Sequence, residues 1–164
     1  MLTDVGEYLV GSYLQLEEGC DFVDYNIRPP GGGLEGLGEL DVVGFNFKTK
    51  TAFLCEVTTH IRGLLYKTNQ KTVERIKKKH ERQKKYASKN LSSFKVIRYQ
   101  FWSPVVPNGY ITNHLEKINS LELVINNEYR KRVEQLKDRA ARITHDVKNP
   151  VFRVLQIIGH LRSS

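Results

Sequence analysis

The sequence predicts an α/β fold, a central mixed β-sheet flanked by helices, on three observations. Runs of strand composition follow one another in the first third of the chain, separated by Gly, Pro or short polar connections. A long stretch free of helix breakers stands between the third of these runs and a fourth. Amphipathic segments at helical spacing occupy both ends.

Taken in order, VGEYLVGSYLQL over 5–16 sets Val5, Leu9, Tyr13 and Leu16 on one side of a helix, with Thr3 or Asp4 as its N-cap. CDFVDYNIR then alternates Phe22, Asp24 and Asn26 against Val23, Tyr25 and Ile27, the period of a strand, and Pro29-Pro30 ends it. Six of the nine residues from Pro30 to Gly38 are Gly or Pro, so a mobile loop is expected there rather than regular structure. It lacks the strand and helix context of a phosphate-binding glycine fingerprint. Strands over 39–47 and 51–59 are joined by Lys48-Thr49-Lys50, short enough for a hairpin. A helix runs from about Tyr66 to Lys89, and FKVIRYQFW over 94–102 is a strand closed by Ser103-Pro104, with Phe101, Trp102 and Pro104 expected to close the core. LELVI over 121–125 is a further strand. Helices over 128–145 and 150–162 finish the chain, Pro150 suiting a first helical position. In the last of them Val151, Val154, Leu155, Ile158 and Leu161 form an apolar face that either completes the core or makes a dimer contact. The order is α-β-β-β-α-β-(α)-β-α-α in one domain over 1–164, with a core over 1–105 and the C-terminal strand and helices over 106–164.

At 164 residues such a domain buries roughly two thirds of its unfolded surface and needs neither disulfides nor a structural metal to hold a core. Cys20 and Cys55 show no C-x-x-C spacing and are expected as reduced thiols of a cytoplasmic protein. No apolar run approaches the ~20 residues that cross a bilayer, and the chain opens on Asp4 and Glu7 instead of a basic stretch, so membrane insertion and secretion are not expected. Charge is split along the chain. Residues 1–57 carry three basic and ten acidic side chains, whereas 58–100 carry thirteen and two. An acidic first third followed by a basic middle suits a site that gathers cations and presents them to a polyanion.

Two carboxylates stand where charge needs a reason. Asp41 lies among Leu40, Val42, Val43 and Phe45, and Glu56 among Ala52, Phe53, Leu54 and Val57. In half-buried strands each is costly unless a cation or donors meet it, and two on neighbouring strands of a hairpin suggest one shared positive partner. Oxygen ligation by carboxylates suits Mg2+ or Mn2+, and the lack of Cys/His pairs at metal spacing argues against zinc. Glu7 on the first helix is a candidate third carboxylate. Set against this, Glu7 serves equally as a cap of its own helix, and Asp41 and Glu56 as structural partners of Arg28 or Arg62.

In their order, GEYLV, GELDVVG and CEVTT resemble the PD-(D/E)XK nuclease superfamily with its restriction-endonuclease-like fold. The resemblance spans about residues 3–60 and the helix that follows. It implies an α-β-β-β-α-β core, metal ligation by Glu7, Asp41, Glu56 and the Val57 carbonyl, and phosphodiester hydrolysis in which metal held by Asp41 and Glu56 activates water while a second ion near Glu7 steadies the leaving oxygen. Where the family pattern has a lysine two residues after the acid, this chain has Thr58. Strand parity gives Thr58 the lysine's direction without its charge, and the family tolerates a lysine moved to the following helix, for which Lys67 and Lys71 stand nearest.

The middle helix points to nucleic acid by a separate route. Lys71, Arg75, Lys78, Arg82, Lys85 and Lys89 recur at steps of four and three, a basic stripe along about 27 Å of helix, opposite a weaker apolar stripe of Val73, Ile76, His80, Gln83 and Ala87. Such an array contacts successive phosphates, although a basic stripe is also an ordinary solvated face. The sequence thus predicts a Mg2+- or Mn2+-dependent endonuclease acting on DNA in preference to RNA, as a monomer or homodimer. The alternative is a non-catalytic nucleic-acid-binding module with a degenerate nuclease site.

Overall fold

A computed structural model describes residues 3–28 and 38–161. The elements are α1 (Val5–Leu16), β1 (Phe22–Ile27), β2 (Leu40–Asn46), β3 (Thr51–Val57), α2 (Asn69–Asn90), β4 (Val96–Ser103), α3 (Tyr110–Leu115), β5 (Leu121–Ile125), α4 (Asn126–Ala140) and α5 (Pro150–Leu161). They form an α/β architecture with one five-stranded mixed sheet in the order β1-β2-β3-β4-β5. The first three strands are antiparallel, as short connections allow; β3, β4 and β5 are parallel, and α2 and α3 supply the crossovers that parallel neighbours require. The Pro/Gly-rich segment expected as a loop falls, over 29–37, outside the described residues.

Alternation along the strands sorts the core to the two faces. Val42, Phe53, Cys55, Trp102 and Val124 pack against α1, α4 and α5 through Val10, Leu14, Leu136 and Phe152. On the other face Val43, Ala52 and Leu54 meet Ala87 of α2 and Leu91 just past its end, and Phe101 meets Val73, Ile76, Ile111 and Leu115. Phe101 and Trp102 therefore do close the core, on opposite sides, and Trp102 satisfies its indole N–H at Gln100 Oε1, 2.9 Å away. Burying each such side chain contributes roughly 1.5–3 kcal/mol. Cys20 and Cys55 are free and buried, and burial pushes the Cys20 thiol up to about 12. The helix α1 lies close on the sheet because Gly11 leaves room for the Tyr25 ring and Gly44 for Leu14: a Cβ at Gly11 would stand 2.6 Å from a Tyr25 ring carbon.

Three features differ from the sequence expectation. The helix α2 starts at Asn69, after Tyr66, because Lys67 adopts φ 64° and the Thr68 side chain caps the helix by accepting the Lys71 N–H. The helix α4 stops at Ala140, short of 145, because Gln156 of α5 takes the carbonyls of Ile143 and His145 at 2.9 and 3.1 Å. In α5 the buried anchors are Phe152 and Gln156, and Val154, Ile158 and Leu161 of the apolar face are exposed together with Ile157, so of the two expected roles, core or dimer contact, this part of the face does not take the first. Among the described residues no helix is long and apolar enough to cross a membrane.

Candidate active site

The site lies at the end of β2 and β3 beneath α2. Antiparallel register pairs Val42 with Cys55, so the next step brings Asp41 beside Glu56, both on the α2 side of the sheet. The two carboxylates converge on one cation, the Lys79 ammonium, whose Nζ is 2.5 Å from Glu56 Oε2 and 3.4 Å from Asp41 Oδ2. Asp41 Oδ2 also accepts the Val57 backbone N–H at 2.8 Å, which ties the β2 acid to the β3 chain just past Glu56. Lys79 reaches this point because α2 is pinned to the sheet one residue further on. His80 sets its ring edge against Tyr99, and Gln83 donates from Nε2 to the Leu54 carbonyl at 2.9 Å.

Burial governs the electrostatics. Glu56 is 3 % exposed. Desolvation pushes its carboxyl up to about 8, aided by the charge of Asp41 and opposed by Lys79. Burial alone would lower the Lys79 ammonium, but Glu56 and Asp41 more than offset it and the net direction is upward. Lys79 is therefore the fixed positive charge of the site, and Glu56 is the group that gains or loses a proton near neutrality. With both acids ionised the trio carries an excess negative charge in a poorly solvated place.

The remaining expected site residues separate. Glu7 does not join the pair: its Oε2 accepts the Asp4 N–H and the Asn26 Nδ2, both at 2.9 Å, closing the N-terminus of α1. Burial raises its carboxyl above the usual range, with a smaller contribution from the charge of Asp41. Among the described residues no three Asp, Glu, His or Cys side chains come together as a metal-holding cluster, which corrects the expected convergence of 7, 41 and 56. Thr58 keeps its strand parity but its buried hydroxyl donates sideways to Ser103 Oγ at 2.8 Å. The acids pair with neither Lys67 nor Lys71. Lys67 is exposed on the loop before α2, and Lys71 lies in the first turn of α2, eight positions ahead of Lys79. Arg28 pairs with Glu39 instead of either acid.

Four of the six expected phosphate-binding cations stand at the site. Lys71, Arg75, Lys78 and Arg82 line a groove of about 640 Å³ whose walls also include Lys79 and three acids, Asp41, Glu39 and Glu74. Lys85 and Lys89 lie beyond it on the exposed face of the same helix. The opposite face buries Val73, Ile76, His80, Gln83 and Ala87, as the spacing predicts. No family model matches this chain, and no curated protein or solved structure matches it.

The signal for Lys79 is present in the sequence. Position 79 is three after Ile76 and four before Gln83, on the border between the buried and basic stripes, where a long alkyl stem can cross into the protein.

Proposed function

We propose that this chain is a Mg2+- or Mn2+-dependent nuclease that hydrolyses phosphodiester bonds of DNA or RNA, with Lys79 supplying the ammonium missing at Thr58. The observation that carries the reading is the meeting of Asp41, Glu56 and Lys79 at the wall of a groove lined by four more cations.

The donor set fits a hard divalent ion. Asp41 and Glu56 offer carboxylate oxygens and Val57 a backbone carbonyl, and once both acids are ionised their excess negative charge favours a second positive charge next to Lys79. An ion held by these groups would supply a water of lowered pKa and neutralise charge on the scissile phosphate. The protein's own residues do the rest. Lys71, Arg75, Lys78 and Arg82 hold the backbone by its phosphates, which fixes the reacting phosphorus without reading bases. Lys79, held beside the two acids, would donate to the attacking water or a non-bridging phosphate oxygen and stabilise the charge that develops there. The Val57 N–H keeps Asp41 aimed at the same point.

The test is cleavage of DNA and RNA with Mg2+ or Mn2+ by the wild type, Asp41→Ala, Glu56→Ala and Lys79→Ala. Cleavage that survives in the first two variants removes the assignment. Polynucleotide binding without cleavage by the wild type assigns the degenerate binding module instead.

A further inference from the structure

The loop between β3 and α2 holds an apolar feature that hydrolysis does not use. Leu64 is fully buried and donates its N–H to the Val105 carbonyl at 2.9 Å. Tyr66 donates its N–H to Thr72 Oγ1 at 2.8 Å, carries the Arg75 guanidinium 4.2 Å above its ring, and meets the edge of His60. The loop is thereby fixed at 64 and 66, and the leucine between them is forced outward. Leu65 is 50 % exposed, with Ile61 on the same loop at 80 %. Leu65 and Tyr66 form the floor of a depression of about 430 Å³ whose other walls are Lys67, Lys71 and Arg75.

Two of those walls are shared. Lys71 and Arg75 also line the groove that contains Asp41 and Lys79, so the depression and the groove adjoin along the first turns of α2. An apolar floor with three cations and no acid around it suits a flat, weakly hydrated group bonded to an anion.

We infer that this depression is a nucleobase subsite: it takes one unpaired base of the strand whose backbone lies in the adjoining groove, and gives the protein a preference for single-stranded or frayed nucleic acid over a closed duplex. The inference rests on the proposed nuclease reading for its substrate class. In it Leu65 covers the face of the base beside Tyr66, whose ring already carries Arg75, and Lys67 and Lys71 hold the phosphates on either side. A base inside a duplex keeps its faces stacked on its neighbours and cannot enter.

The experiment measures binding in EDTA, where nothing is cut. A fluorescently labelled single strand and the blunt duplex of the same sequence are titrated with the wild type and with Leu65→Ser and Ile61→Ser, both exposed positions, and folding is checked by thermal melting. The wild type is expected to bind the single strand more tightly, and Leu65→Ser to lose about tenfold on the single strand, the scale of burying one aliphatic side chain, with duplex affinity unchanged. A 2-aminopurine in the strand is expected to change its emission on binding the wild type and not Leu65→Ser. Equal affinity for both substrates, or an unaltered Leu65→Ser, overturns the subsite and leaves the nuclease reading standing. Failure to bind any polynucleotide overturns both. Binding to phosphatidylserine vesicles that Leu65→Ser abolishes, with oligonucleotide binding unaltered, reassigns the patch to a lipid surface and also overturns the inference.

Discussion

Replacing Glu56 by Gln separates what the site does for stability from what it does for chemistry. In the folded chain the Glu56 carboxyl holds its proton up to about pH 8, against 4.5 for the free side chain. Its folded pKa is the higher one, so the stabilisation it brings is complete below about pH 4.5 and is lost as pH rises through 8. Integrating the proton linkage for that pair of values gives a loss of about 3–4 kcal/mol between pH 5 and 8, a large part of the 5–15 kcal/mol typical of a domain. Lys79 does not bend the curve in this window, since its shift is upward from 10.5. Glu56→Gln keeps the shape and a hydrogen-bonding oxygen but cannot ionise. Urea unfolding in EDTA at several pH values between 5 and 8 is therefore expected to give a falling stability for the wild type and a curve flatter by about 3–4 kcal/mol for the variant. Saturating Mn2+ should flatten the wild-type curve as well, because an ion that binds only the ionised folded site restores what deprotonation removes. Parallel curves for wild type and variant would refute the buried, charge-frustrated carboxyl on which the site rests.

Three other outcomes follow from the same architecture. Lys79→Met removes the charge that holds the Glu56 carboxyl down, so Glu56 is expected to keep its proton beyond pH 8, the cost in stability to be nearly the same at pH 5 and pH 8, and cleavage to fall about 10²-fold or more; chemical denaturation at the two pH values and a cleavage time course read these out. Lys78→Gln combined with Lys71→Gln should reduce the slope of log affinity against log salt by about 0.9 for each phosphate no longer neutralised, measured by fluorescence anisotropy, and an unchanged slope would take the groove out of binding. Gly11→Ala gains helix propensity of about 1 kcal/mol but drives a methyl into Tyr25, so a net loss of about 1–2 kcal/mol is expected in a thermal melt.

The strand acids were legible because each breaks an apolar run, and a buried charge is the most conspicuous departure a strand can make. The layering of the sheet followed from the same alternation, and the buried stripe of α2 from its period. Glu7 was legible only as far as its local role, since a carboxylate three residues after Asp4 satisfies a helix N-terminus whether or not it meets anything else. Lys79 escaped because periodicity assigns a side chain by where its Cα points. A lysine on the edge of a buried stripe carries its charge several ångströms away from that direction, and only the unmet demand of Glu56 and Asp41 decides which side it takes. The boundaries of α2 and α4 were harder to read, the second because it depends on Gln156, far along the chain, capturing two carbonyls that an isolated helix would have kept.

Under the proposed function, the position of Lys79 on α2 makes the attitude of that helix part of the site. One helix carries Lys79 together with the groove cations Lys71, Arg75, Lys78 and Arg82, so a polynucleotide bound as proposed by the second set would be positioned against the first without an intervening loop. The bond that fixes this attitude nearest the acids is Gln83 Nε2 to the Leu54 carbonyl, two residues before Glu56 on β3. Gln83→Leu fills the same volume and removes that bond along with the partner of the His80 Nδ1, 3.2 Å away. The loss of stability is expected to be about 1–3 kcal/mol, and cleavage should fall through kcat while the salt slope of binding stays put, because the phosphate-binding cations travel with the helix and the ammonium no longer meets the acids squarely. A variant that loses affinity and keeps kcat would mean that the helix orients the substrate only, and that Lys79 finds Glu56 through its own flexibility.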